Sequence, residues 1–432
     1  MQKSKMKIHI RTIKICNDID SMIDYISILS IIMIMPFFYS INSFVNYGIR
    51  GGLGLFFLVC IAKKDSKMFT KCVAVLLAGL FYTLIYLYNV RLAYGGGYAS
   101  FFVRSMLCWL YMIYGIYYAK YRFNTNNKIL GVVFTLVMII TIITSIVGMS
   151  KYAYLVPGNE TITRTLGNGG EFSDEARKIL NRSNIANWQL AYGFACASSA
   201  YVMKYSQERK KRYLVIVGLI ILFLVRSQIT FALLFAAIPV VFYFLYHKSI
   251  KLQIIKLFIF LLISIIVIIN ISSVLYSLYS FMLERGITML AIRFYQLYES
   301  VKGGALVGTG AGRIDLYTLS ISQFFSHPIL GYKVENYSEL FTKLGMHSQI
   351  FDTLGGTGII GFLFAFLPFL YVVKSVRMCH ADRTDKAFIN LGIFILIIFM
   401  ITNPTSYACE SYMAVFCLPF WLNLRNKGLN MT

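Results

Sequence analysis

The chain is poor in charge and in histidine, and both shortages narrow what it can be. Only 14% of its 432 residues are charged while 58% are hydrophobic, and mean hydropathy is +0.67. An average soluble domain carries about 25% charged residues, so an ordinary soluble fold is excluded. None of the eight cysteines (Cys16, Cys60, Cys72, Cys108, Cys196, Cys379, Cys409, Cys417) forms a C-x-x-C pair, and all lie in or beside apolar segments. That argues against a disulfide framework and against a zinc site. The apolar stretch Tyr25–Val45 is too long for a signal core and lacks an A-x-A-like site. It is expected to stay as an anchor. The short alternating pattern of a membrane barrel is also missing.

What is present is length of apolar run. Leu252–Leu275 and Phe388–Ile401 are nearly uninterrupted, and a bilayer-spanning helix needs roughly 17–25 such residues. The expected fold is an all-α polytopic membrane protein forming one integral domain over residues 1–432. About twelve transmembrane helices are expected near 24–45, 47–62, 72–90, 100–119, 129–148, 185–204, 213–226, 228–246, 254–275, 347–373, 387–402 and 406–424.

The net charge of +23 is explained by position. Basic clusters such as Lys63, Lys64, Lys67 and Lys71, or Arg209 to Arg212, fall in every second connection between apolar segments. This is the positive-inside pattern, and it places both termini in the cytoplasm. A nucleic-acid binder would gather its basic residues on one domain with interleaved aromatics, so nucleic acid is not an expected partner.

Two long connections, 149–184 and 276–346, fall on the side away from the basic clusters. Loops of that length are either functional or disordered, and the second is too rich in Leu, Tyr, Phe and Ile for disorder. Ile287, Leu290, Ala291, Phe294, Leu297, Tyr298 and Val301 recur at helical spacing. "GGALVGTGAG" (Gly303–Gly312) then interrupts, and a shorter helix is expected from Arg313 to Phe325, ending before His327-Pro328.

Single arginines mark this outer side: Arg164, Arg177, Arg182, Arg226, Arg285, Arg293 and Arg313. A planar guanidinium grips phosphate with two hydrogen bonds. Arg226 sits inside an apolar stretch, where a charge is costly and tends to be functional, although an arginine snorkelling to the interface would look the same. Arg313 follows a Gly-rich turn whose N–H groups are expected to form an anion-binding concavity. The alternative is a flexible break between surface helices. His347 precedes the tenth span and is a candidate general base, with Ser348 and Asp352 as its supports. The alternative is a helix-start residue bonded to backbone. Gly355, Gly356, Gly358 and Gly361 are expected to let neighbouring helices approach closely. His327 is expected mainly to end a helix.

These residues carry a resemblance. "GRIDLYTLSISQFFSHPILGY" followed by "MHSQIFDTLGGTGIIGFL" resembles the signature of the O-antigen ligase and Wzy-type polysaccharide polymerase superfamily. There an arginine opens a helix, a Pro-x-x-Gly turn follows, and a His-Asn or His-Ser pair begins a Gly-rich span. Those places are filled by Arg313, Pro328 to Gly331, His347-Ser348 and Gly355 to Gly361. "LVRSQITFALL" looks like the family's short hairpin, and "ILNRSNIANWQLAYGF" like its R-x-N entry to a span, with Arg182 and Asn184 in place. Here Ser348 replaces the commoner Asn and Tyr332 a second Gly.

The resemblance implies a GT-C-like glycosyltransferase of the bacterial cytoplasmic membrane, working on the outer side. It would transfer a glycan from undecaprenyl pyrophosphate to an acceptor sugar, with inversion and without a metal or other cofactor. His347 and Arg313 would be catalytic. Arg226, Arg293, Arg182, Arg164, His327 and Asn184 would bind pyrophosphate and glycan. Its partners would be the lipid-linked oligosaccharide and membrane lipid, with a chain-length regulator and a flippase as candidate protein partners. A repeat-unit polymerase is the first expectation and a ligase its nearest alternative. The rival from another class is a lipid-linked oligosaccharide flippase, which should place ionisable groups near the bilayer midplane. In the sequence the middles of the spans look almost free of charge.

Overall fold

The computed structural model describes residues 19–40, 43–94, 97–121, 128–155, 162–163, 166, 174–246, 250–304, 307, 309–378, 383–406 and 408–422. Among them every regular element is a helix and there is no strand. The first part of the chain forms α1 (19–32), α2 (Pro36–Ser40), α3 (Ser43–Lys64), α4 (Ser66–Asn89), α5 (Tyr98–Tyr121), α6 (Lys128–Lys151) and α7 (Asp174–Arg182). Next come α8 (Trp188–Glu208), α9 (Arg212–Ser227), α10 (Thr230–Leu245), α11 (Ile250–Ile269), α12 (Ile271–Glu284), α13 (Thr288–Gly303) and α14 (Thr309–Ser326). The rest is α15 (Glu339–Thr342), α16 (Gln349–Met378), α17 (Arg383–Thr402), α18 (Cys409–Phe416) and α19 (Leu418–Leu422).

Among the described residues, seven helices are long and apolar enough to cross a membrane: Val45–Lys64, Ser66–Asn89, Tyr98–Tyr121, Ile129–Lys151, Lys251–Ile269, Gln349–Met378 and Thr384–Thr402. The protein is therefore an all-helical, polytopic membrane protein. Of the other expected segments, 185–204 coincides with the long but less apolar α8, and the rest with shorter or interrupted helices, for local reasons. The segment 24–45 is broken at residues 33–35, just before Pro36 starts α2. The segment 406–424 is broken at Cys417, before Pro419. α9 and α10 are separate because Gln228 adopts a left-handed conformation (φ 55°) between them.

α8 lies at the centre. Its run Ala195 to Ala200 of Ala, Cys and Ser is buried throughout, packed among α9, α10, α17 and α18. Small side chains let helices meet closely in a membrane, and a helix that never sees lipid needs no greasy surface. α11 is the opposite case: its apolar window is 0% buried, so in a bilayer lipid surrounds it.

The bundle has two chemically different ends. At one, Lys64 pairs with Asp20, Lys120 with Asp65 at 2.8 Å, and Gln207 donates to Asp385 at 2.7 Å. At the other end, Phe37 N–H donates to Asn184 at 2.8 Å and Arg226 to Ser150 at 3.2 Å. The turn after α9 also docks there, as Gln228 Oε1 accepts from Met289 N–H at 2.6 Å.

Candidate functional site

The second end is organised by a break inside α16. Gly358 has φ 62° and ψ −166° within that helix, a backbone state that only glycine adopts without strain. A break leaves backbone groups unpaired, which is costly at membrane depth unless protein satisfies them. The turn 328–332 does so. Ile359 N–H donates to Pro328 O at 2.8 Å, and Tyr332 N–H donates to Gly355 O at 2.7 Å. Asn89, at the end of α4, donates its amide to Leu330 O and to Gly356 O, both at 2.8 Å. A Cβ on Gly331 would lie 2.3 Å from Gly356 C, and one on Gly358 would lie 2.4 Å from Ile329 O. The glycine run therefore admits a loop into a broken helix. Close helix approach, the expected role, holds at Gly355, where a Cβ would meet Ser320 O of α14 at 2.5 Å.

The His347 turn is held from behind by Asp352. This buried carboxylate accepts from Ser348 N–H at 2.9 Å, Met346 N–H at 3.1 Å and Ser320 Oγ at 2.7 Å. Ser348 supports the turn as an N-cap, with Phe351 N–H donating to its hydroxyl at 3.2 Å. His347 is half-buried, and its Nδ1 lies 2.8 Å from Gly345 O. A carbonyl only accepts, so in the neutral ring Nδ1 carries the proton and Nε2 the lone pair.

Arg313 shares this platform. Its Nη1 donates to Thr402 O at 2.8 Å, and its guanidinium lies over the Phe231 ring at 4.7 Å. Gln349 N–H donates to Asn403 O at 3.1 Å, and Ser348 Oγ to Met400 O at 3.4 Å. Arg313 and the His347 turn are thus both pinned to the last turn of α17. The helix expected to open at Arg313 begins four residues earlier. α14 starts at Thr309, so Gly310 to Gly312 are helical and Arg313 stands in the second turn. Its guanidinium is held by a carbonyl and a ring.

The remaining candidates scatter around this platform. Arg226 is exposed and reaches Ser150 at the end of α6, but its hairpin supplies the Phe231 beneath Arg313. Arg293 bonds Gln296 of its own helix at 2.9 Å. Arg182 is exposed at the end of α7. Asn184 (φ 55°) has its amide engaged at both ends, by Phe37 N–H at 2.8 Å and Thr144 Oγ1 at 3.0 Å. His327 ends α14: its N–H donates to Gln323 O at 2.8 Å and its carbonyl accepts from Gly331 N–H at 3.0 Å. Arg164 lies outside the described residues. Within the loop, Tyr332 donates to Glu339 at 3.1 Å. Burial, then that carboxylate, pushes its hydroxyl above the ordinary value.

Several functional-looking residues escaped the sequence reading. Asn89 carries no pattern signal, since only the fold brings it to Leu330 and Gly356. Gln349 also emerges only in three dimensions. Its Nε2 donates to Tyr82 and Thr353, and its Oε1 accepts from Ser406 N–H at 2.7 Å. Beside it is a largely apolar cavity of about 50 Å³, lined by Tyr82, Trp109, Phe366, Phe369 and Tyr412 with Thr353 and Ser406 among them. The charge-free interior also needs correction. Arg50 (1% exposed) and Glu410 (6%) are buried in the bundle. The signal for Arg50 was readable: a lone arginine in an apolar run, the argument already applied to Arg226. Comparison with family models, curated proteins and solved structures finds no match for this chain.

Proposed function

We propose that this membrane protein is a glycosyltransferase acting on lipid-linked glycans, a polysaccharide repeat-unit polymerase. The observation that carries the reading is the shared platform. Arg313 and the His347 turn are both fixed to the last turn of α17, at the bundle end away from the basic clusters. In the reaction His347 Nε2 takes the proton of an acceptor sugar hydroxyl. The acceptor oxygen bonds to the anomeric carbon from the face opposite the leaving group. The anomeric carbon–oxygen bond to undecaprenyl pyrophosphate breaks, and the electron pair leaves with the pyrophosphate. Arg313, with one of its five N–H groups on Thr402, stabilises that charge with its others. Arg226 and Arg293 are the further cations on the same end.

In this reading the chain crosses a bacterial cytoplasmic membrane about twelve times, with both termini cytoplasmic and the site outside, in a GT-C-like arrangement. The gathering of lysine and arginine at one bundle end supports the orientation. A ligase would differ only in its acceptor. The buried Arg50 lends some support to the flippase reading, and a leaflet-translocation assay on reconstituted liposomes separates the two. Translocation without polymer would make the protein a transporter.

The direct test uses purified protein with lipid-linked repeat units. Arg313→Lys keeps the charge and loses the planar fork, and His347→Gln keeps hydrogen bonding and loses proton transfer. Both are expected to bind the lipid-linked glycan and make little polymer. A Gln variant with most of its activity would leave His347 only an orienting role.

A further inference from the structure

Arg50 is a full charge sealed inside a membrane bundle, and its partners are specific. Nη2 donates to Tyr111 Oη at 3.0 Å and to Cys409 Sγ at 3.3 Å. Burying a charge is expensive, and an apolar side chain of similar volume often serves stability as well or better. A buried arginine here therefore calls for a role beyond filling space.

The geometry supplies one. Cys409 is the first residue of α18, and the chain just before it holds the site. Ser406 N–H donates to Gln349 Oε1 at 2.7 Å, Asn403 O accepts from Gln349 N–H at 3.1 Å, and Thr402 O accepts from Arg313 at 2.8 Å. Gln349 in turn is the first residue of α16, two positions after His347. The stretch 403–406 is irregular backbone, with Thr405 and Ser406 buried. It has no helical ladder of its own to keep it in place.

We infer that Arg50 is a positioning residue for the His347 turn, acting through Cys409 and the 403–406 segment. By bonding Tyr111 of α5 and Cys409 of α18 together, it fixes where α18 begins and hence where Ser406 meets Gln349. The inference rests on the proposed site but not on the chemistry assigned to it.

The test is hydrogen exchange on the full-length protein in lipid nanodiscs, resolved to peptides covering 345–350, 403–409 and, as control, 204–212 at the basic end. A hydrogen bond from a charged donor changes an opening equilibrium by about tenfold to a hundredfold. Arg50→Met is expected to speed exchange by that factor in both 345–350 and 403–409 and to leave 204–212 unchanged. Arg50→Lys, which can reach one partner but not both, should fall between. If Arg50→Met does not accumulate as folded protein, Tyr111→Phe and Cys409→Ala, which each remove one acceptor, should each speed exchange in both peptides. Unchanged exchange at 345–350 in these variants, or equal acceleration at 204–212, overturns the inference. Faster exchange with polymer formation intact would uphold Arg50 as a clamp and overturn instead the assignment of His347 to catalysis.

Discussion

At the basic end of the bundle, Lys120 meets Asp65 at 2.8 Å with half its side chain exposed, and Lys210 meets Glu208 at 2.9 Å likewise. At the opposite end, Asp352 and Asn89 spend their hydrogen bonds on buried backbone: three donors into one carboxylate, and one amide shared by Leu330 and Gly356. Solvent and salt compete with the first kind of contact, and such exposed pairs contribute about 0–1 kcal/mol. Nothing replaces the second kind, because an unpaired backbone group in a membrane interior has no water to turn to. The difference teaches where the molecule tolerates change. The exposed pairs of the basic end are replaceable, while the other end holds one irregular arrangement of buried hydrogen bonds.

The comparison breaks most visibly in activity. His347→Ala should lower polymer formation by about 10²–10⁴-fold, the usual contribution of a general acid–base group. Lys120→Met at the basic end should leave it unchanged, with folded protein recovered in both. Equal losses in the two variants would dissolve the distinction between the ends.

Next in size are two glycines of the site with positive φ, Gly331 and Gly358. Gly331→Ala and Gly358→Ala would each add backbone strain of about 1–3 kcal/mol, besides the overlap with the facing backbone. We expect a sharp drop in the yield of folded, membrane-inserted protein, read by size-exclusion chromatography in detergent. Gly218→Ala is the control, since nothing lies within 4 Å of a Cβ there. A normal yield for Gly331→Ala would mean that the loop and the broken helix are less tightly apposed than these distances imply.

Removing the clamps should cost somewhat less. Asn89→Ala and Asp352→Asn each leave buried partners unsatisfied, worth about 1–3 kcal/mol. Thermal unfolding should shift downward in both. In Asn89→Ala, proteolysis should become faster within 327–334, while cleavage within 204–212 stays at its original rate.

The smallest effect belongs to Asp65. Hydrogen bonds from Lys120, from Tyr121 and from Met68 N–H hold its carboxyl well below the ordinary carboxylate range. A depressed folded value means the pairing stabilises above the ordinary pKa and is lost only as acidification passes down to the lower folded value. Asp65→Asn should therefore flatten the acid side of a stability-against-pH curve, with a small loss of stability near neutrality that disappears as the pH falls through the folded value. A loss near neutrality as large as that of Asn89→Ala would show that the basic end is not redundant.

Much of the fold was legible in the chain. Apolar run length alone marks Ser66–Asn89, Tyr98–Tyr121 and Gln349–Met378, because a helix in lipid must satisfy its own backbone and wear an apolar surface. α8 shows the limit of that logic, since a helix wrapped in protein obeys packing and not lipid. At the site, single residues with scarce chemistry were visible: Arg313, His347, and Asp352 four residues after Ser348. Their connections were not. The Gly-rich turn before Arg313 read as a break and is partly helical, and Asn184 read as a binding residue and has its amide taken up by Phe37 and Thr144.

By itself the sequence determined the class: a helical membrane protein with basic connections on one side and discrete arginines and a histidine on the other. Each of those signals is local, a matter of hydropathy, charge and spacing within a few turns of chain. Only the tertiary structure decided that α16 breaks at Gly358, that Asn89 closes the break, and that Arg313, Gln349 and Ser348 share the end of α17. Those are pairings between groups tens to hundreds of residues apart. Hydrogen bonding between such groups depends on where whole helices come to rest, and no local period records it.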